Sequence, residues 1–95
     1  MVFDVSKISG LGGYSVKEDE SRTFYSKGEK VFLVQNSNTI EVRSDAKLGA
    51  LLREKYESVM ESRYFGRGGI EIVLAGQLDD DELADLIRLS YNLTV

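Results

Sequence analysis

Arg22-Thr23-Phe24-Tyr25-Ser26-Lys27-Gly28-Glu29-Lys30-Val31-Phe32-Leu33-Val34-Gln35-Asn36-Ser37-Asn38-Thr39-Ile40-Glu41-Val42-Arg43 is the stretch that decides the fold. From Ser21 the pattern takes the period of two that belongs to strands. Arg22 to Lys27 reads as one strand. Gly28-Glu29 reads as a short hairpin loop in which Gly28 is free to take a positive φ. Lys30 to Gln35 is a second strand, apolar on both faces and therefore expected to be central. Asn36-Ser37-Asn38 is turn chemistry. Thr39 to Arg43 then alternates, with Ile40 and Val42 expected inward and Glu41 outward. The three strands make an antiparallel meander.

Downstream, Ser44 or Asp45 is placed to cap a helix running to about Tyr56, with Leu48, Leu51, Leu52, Tyr56 and Val59 spaced as one apolar stripe. Met60 to Phe65 reads as a short strand and Gly66-Arg67-Gly68-Gly69 as a flexible turn. Ile70-Glu71-Ile72-Val73-Leu74 reads as a further strand with Ile70, Ile72 and Leu74 buried. A last helix, from about Asp80 to Tyr91, turns Leu83, Leu86, Ile87 and Tyr91 inward. Asp79 with Glu82 three residues on has the capping-box spacing.

Upstream, Val5, Ile8 and Leu11 share a helical face, but Gly10, Gly12 and Gly13 break it, so a short helical turn is expected, followed by a loop. Lys17-Glu18-Asp19-Glu20 reads as a solvated connector. The expected organisation is a short amino-terminal turn and linker over residues 1–20 and one α+β domain over 21–95. Its order is β-β-β-α-β-β-α: an antiparallel sheet of about five strands with helices on one face. Grouped rather than alternating elements favour this over a doubly wound parallel sheet.

Composition sets limits on chemistry. The chain has 95 residues, a length that makes one domain, and contains neither cysteine nor histidine. Disulfides, thiolate nucleophiles, sulfur-bound metals and the usual neutral-pH base are thereby excluded. No enzymatic constellation is recognisable, and no cofactor or metal is expected. The net charge of −4 argues against indiscriminate nucleic-acid binding, which needs a basic surface. Met1-Val2-Phe3-Asp4-Val5-Ser6-Lys7 lacks a basic region followed by an apolar run, so no signal peptide is expected. No apolar segment approaches the ~20 residues needed to span a bilayer. No membrane association is expected, and a cytoplasmic location is the default.

Several groups invite chemistry. Asp79-Asp80-Asp81-Glu82 suits a hard cation, but its ordinary reading is helix capping and complementing the helix dipole. The glycine runs at 10–13 and 66–69 lack the strand–helix setting of a phosphate loop. Ser90 and Tyr91 have no base nearby except carboxylates, so Tyr91 is expected to be buried with its hydroxyl on a backbone carbonyl. The set of most interest is Arg22, Tyr25, Lys27, Lys30, Arg43, Arg63, Tyr64 and Arg67, all on expected strands or hairpin turns. Cations interleaved with aromatics on a sheet contact phosphates and stack on bases. The same residues also serve a protein partner, or protect edges by pairing with Glu29, Glu41, Glu61 and Glu71.

Three segments carry a family resemblance. Gly28-Glu29-Lys30-Val31-Phe32 resembles the hairpin of MmcQ/YjbR-like proteins. Asp45-Ala46-Lys47-Leu48, following Ile40-Glu41-Val42-Arg43, is similar to that family's strand-to-helix junction. Leu78-Asp79-Asp80-Asp81-Glu82-Leu83, with Leu86-Ile87 and Ser90-Tyr91-x-Leu93, is similar to its ending. The resemblance implies a "double-wing" α+β domain, and DNA binding has been suggested for the family from fold similarity. This chain departs from the family in its short, glycine-broken start. It also has Gly68-Gly69-Ile70 where a polar-aromatic pair, often His-Trp, usually stands. The expectation is a non-enzymatic protein-interaction or self-associating module, with DNA binding through a basic-aromatic sheet face as the alternative. A homodimer is the natural remedy if Ile8 and Leu11 stay uncovered.

Overall fold

The computed structural model describes residues 4–95. The part of the signal-peptide reading that rests on Met1 to Phe3 lies outside them. A single 3-10 turn, Val5–Lys7, leads into β1 (Ser15–Asp19), β2 (Arg22–Lys27), β3 (Lys30–Gln35) and β4 (Thr39–Arg43). Then come α1 (Ala46–Lys55), β5 (Val59–Ser62), β6 (Gly66–Val73) and α2 (Asp80–Leu93). The strands form one six-stranded antiparallel sheet in the order β1-β2-β3-β4-β6-β5. Among the described residues no helix is long and apolar enough to cross a membrane.

The sixth strand is β1, in the segment expected to be a connector. Every residue of it is exposed, so it carries no hydrophobic period to read. It is held by its ladder to β2, and its charges suit an edge strand. A second correction concerns Gly66-Arg67-Gly68-Gly69, which opens β6 instead of forming the turn. The turn is Arg63–Phe65. Gly69 is required there: a Cβ would meet the Val42 carbonyl oxygen at 2.5 Å and the Phe65 Cβ at 2.6 Å.

Both helices pack on one face. Leu33, Val42 and Ile70 stand opposite one another along a single row, as do Gln35, Ile40 and Ile72. With Leu83, Ile87 and Tyr91 of α2 the aliphatic members of these rows build the core, each large aliphatic side chain contributing about 1.5–3 kcal/mol of burial. A β-bulge adds to this face. Tyr25 opposes Leu33 while Ser26 opposes Val31, so Phe32 is an extra residue. Phe32 and Leu33 therefore both join the core.

The α1 stripe is narrower than expected. Leu52 and Tyr56 pack on the core, but Leu51 is 63% exposed and Val59 belongs to β5. Gly49 is the buried point of α1 and lets the helix approach Ile70 closely. Asp45 is the α1 cap, accepting the Leu48 N–H, and Asp79 with Glu82 forms the capping box of α2. Ile8 and Leu11 pack against the core within the monomer, which removes the motive for dimerisation that their exposure would have supplied.

Candidate binding site

On the sheet face away from the helices, one row of side chains crosses all six strands: Lys17, Phe24, Val34, Glu41, Glu71 and Met60, each opposite the next. Its centre is two glutamates, side by side. Like charges in that position repel, and both are buried, Glu41 at 2% and Glu71 at 3% exposure. Glu41 does point away from the helices as expected, but not into solvent.

The β5–β6 turn explains their burial. Arg63–Phe65 folds back over this face and is tied to it by both carboxylates. Glu41 Oε1 accepts the Ser62 hydroxyl at 2.8 Å and the Tyr64 N–H at 2.8 Å. Its Oε2 accepts the Asn36 side-chain amide at 3.0 Å. Glu71 takes the Arg63 guanidinium in a two-pronged contact, Nε at 3.0 Å and Nη2 at 2.7 Å, and the Thr39 hydroxyl at 2.8 Å. Burial alone would raise the Glu41 pKa. The bonds from Asn36, Tyr64 and Ser62, with the Arg63 charge, outweigh it and hold the carboxyl below its ordinary value.

The two glutamates differ in one respect. Glu71 has a cation bonded to it, whereas among the described residues no lysine or arginine forms an ion pair with Glu41. Glu41 also lines a cavity of about 540 Å³, bounded by Ser21, Arg22, Asn36, Ser37, Asn38, Arg63 and Tyr64. Arg22 lies over the Phe24 ring at 5.1 Å. Tyr64, 46% exposed, leans on the same ring at 5.7 Å.

Of the eight residues expected at a site, three share this cavity: Arg22, Arg63 and Tyr64. The other five do not join them. Tyr25 packs among Tyr14 and Phe32 and donates its hydroxyl to Gln35. Lys27 reaches α2, with Nζ 4.4 Å from the Tyr91 ring and bonded to the Tyr91 carbonyl oxygen. Arg43 donates Nε to the Val31 carbonyl oxygen and lies over Phe65. Lys30 is exposed on the β2–β3 hairpin. Arg67 lines a separate small cleft with Gly49, Arg53 and Glu61. These cations do not form one basic track. The residues that the sequence reading left out are Glu41 as a site member, Ser21, Asn36, Ser37 and Asn38. The turn composition of 36–38 was visible, but its closeness to Arg63 is a tertiary fact.

No protein-family model matches the chain, and no curated protein matches it. A solved structure does: the crystal structure of Deinococcus radiodurans protein DR2400, which carries a DUF419 domain. The fold is similar to that of this DUF419 protein. The TM-score is 0.78 at 17% identity, over 93% of this chain and 72% of the other. DUF419 lies within the YjbR/MmcQ-like fold superfamily. At this identity the likeness concerns the fold alone, and it agrees with the α+β sheet-and-helix layout that the family resemblance implies.

Proposed function

We propose that the chain is an MmcQ/YjbR-type, non-enzymatic binding module that takes an acidic segment of a protein partner at the cavity beside Tyr64. The observation that carries this reading is the meeting of Arg22, Arg63 and Tyr64 on one concave rim of the helix-free face. Arginine and tyrosine are the residue types that anchor protein interfaces. Arginine also matches carboxylates with its planar fork. The turn that carries Arg63 and Tyr64 at the rim is tied to the sheet by hydrogen bonds to two buried carboxylates. Duplex DNA is disfavoured by the scattering of Lys27, Lys30, Arg43 and Arg67 over other parts of the surface, and by the acidic whole.

The test is a chemical-shift titration of ¹⁵N-labelled protein with an aspartate- and glutamate-rich peptide, run beside short single- and double-stranded DNA at low salt. Peptide-dependent shifts at Arg22, Ser37, Asn38 and Tyr64, weakened by Arg22→Ala, are expected. Shifts with DNA alone, or peptide shifts confined to another face, overturn the reading. A concentration-dependent rise in mass without peptide would redirect it to self-association.

A further inference from the structure

A buried charge is ordinarily paired; among the described residues Glu41 is a buried carboxylate with no cation bonded to it, the Arg63 charge acting on it only at longer range. It is 2% exposed, it lines the cavity, and three neutral donors bond it: Ser62, Tyr64 N–H and Asn36. Oε1 takes two of these donors and Oε2 one. A carboxylate offers about four acceptor positions, so Oε2 retains one. A cationic N–H donor at that position would complete the site. A purely cationic ligand is nevertheless a poor fit, because Arg22 and Arg63 line the same cavity. Arg63 spends Nε and Nη2 on Glu71, which leaves Nη1 uncommitted. Arg22 has no hydrogen bond or ion pair among the described residues, only its contact with Phe24. The site therefore offers one buried anion within and two available cationic donors at the rim.

We infer that the cavity takes a zwitterionic group, an α-ammonium close to a carboxylate, with the ammonium on Glu41 and the carboxylate on Arg22 and Arg63. Such a group is presented by an acidic amino terminus of a protein and by a free acidic amino acid. The inference rests on the reading of the cavity as a site for acidic segments and specifies which segment enters. Ser37 and Asn38, whose side chains hold no bond among the described residues, stand at the rim to meet the peptide groups that follow. A cavity of about 540 Å³ is large enough for one or two residues.

The experiment compares the peptide Asp-Glu-Gly-Ser-Gly with its N-acetylated form by chemical-shift titration at pH 6.5, below the α-amino pKa of about 8. Free L-aspartate is the third probe, and Glu41→Gln and Arg22→Ala are the two variants. Glutamine keeps the oxygen that accepts Tyr64 N–H, so the turn stays anchored. The free amine is expected to bind about tenfold or more tightly than the acetylated peptide. Glu41→Gln should erase that difference, and Arg22→Ala should weaken both peptides. Binding of free L-aspartate with the same shifts identifies a free amino acid as sufficient; binding of the peptide alone identifies a protein terminus. Equal affinity of the two peptides at Arg22 and Tyr64 overturns the ammonium inference but leaves the acidic-segment reading standing. No shifts at the cavity with any probe defeats both.

Discussion

Ser90 of α2 donates its hydroxyl to the Phe32 carbonyl oxygen at 2.5 Å and accepts the Arg43 N–H at 2.8 Å. It sits where the β3–β4 ladder, which runs from Gln35–Ile40 to Leu33–Val42, would have its next rung. The bulge at Phe32 opens that rung, and the serine closes it. Ser90→Ala would leave a carbonyl and an N–H unpaired in the core, at a cost of about 1–3 kcal/mol. Chemical denaturation should show the midpoint falling with an unchanged slope. A variant as stable as wild type would mean that water or backbone relaxation fills the gap.

The Ser90-Tyr91 pair illustrates what the sequence could and could not reveal. The burial of Tyr91 followed from its spacing on α2, and its hydroxyl does meet a backbone carbonyl, that of Gly13; the burial of Ser90 was not foreseen. Why a serine stands at position 90 was not readable, because the reason is a bulge in a distant strand. The same division holds elsewhere. Strands β2, β3 and β4 announced themselves by period and turn chemistry. The wholly exposed β1 had no period to show. Glu41 looked solvent-facing because alternation reports the face of a sheet, not what covers it, and the cover is a turn more than twenty residues away. Three of the eight expected site residues converge because that turn brings Arg63 and Tyr64 to Arg22. Lys27 and Arg43 were drawn to helix and backbone carbonyls, which no local pattern predicts.

Acid sensitivity should be traceable to Glu41. Hydrogen bonds and the Arg63 charge hold its folded-state pKa below the unfolded value. The folded chain therefore binds that proton less readily than the unfolded chain. The stabilising contribution is complete above the ordinary carboxylate range and is lost as pH falls through the lowered folded value. Denaturant midpoints measured from pH 6 down to pH 2 should fall less steeply for Glu41→Gln than for wild type. Parallel curves would assign the acid loss to other carboxylates.

Arg63 is mostly exposed, yet it is the cation bonded to buried Glu71. Removing it is worse than losing a surface ion pair, because a buried carboxylate keeps its charge without its partner. Arg63→Ala should lower the denaturation midpoint, and adding Glu71→Gln should restore part of the loss. A double-mutant cycle measures that coupling. Additive effects would show that the two side chains act independently in solution.

Gly69 tests whether the folded-back turn and the sheet must stay in contact. A methyl group at this position would collide with the Val42 carbonyl oxygen and with Phe65. The first obstacle is backbone in the β4–β6 ladder, where Arg43 opposes Gly69. The second belongs to the turn itself. The turn is the softer of the two, so Gly69→Ala should push Phe65 outward and loosen Tyr64 and Arg63 with it, at a cost of about 1–3 kcal/mol. Amide exchange should accelerate at Tyr64, whose N–H is bonded to Glu41, while Val34 and Ile72 in the central strands stay protected. If Tyr64 remains as protected as in wild type, the strain is absorbed by the strands. The turn would then be a rigid part of the sheet, not a separately anchored cover.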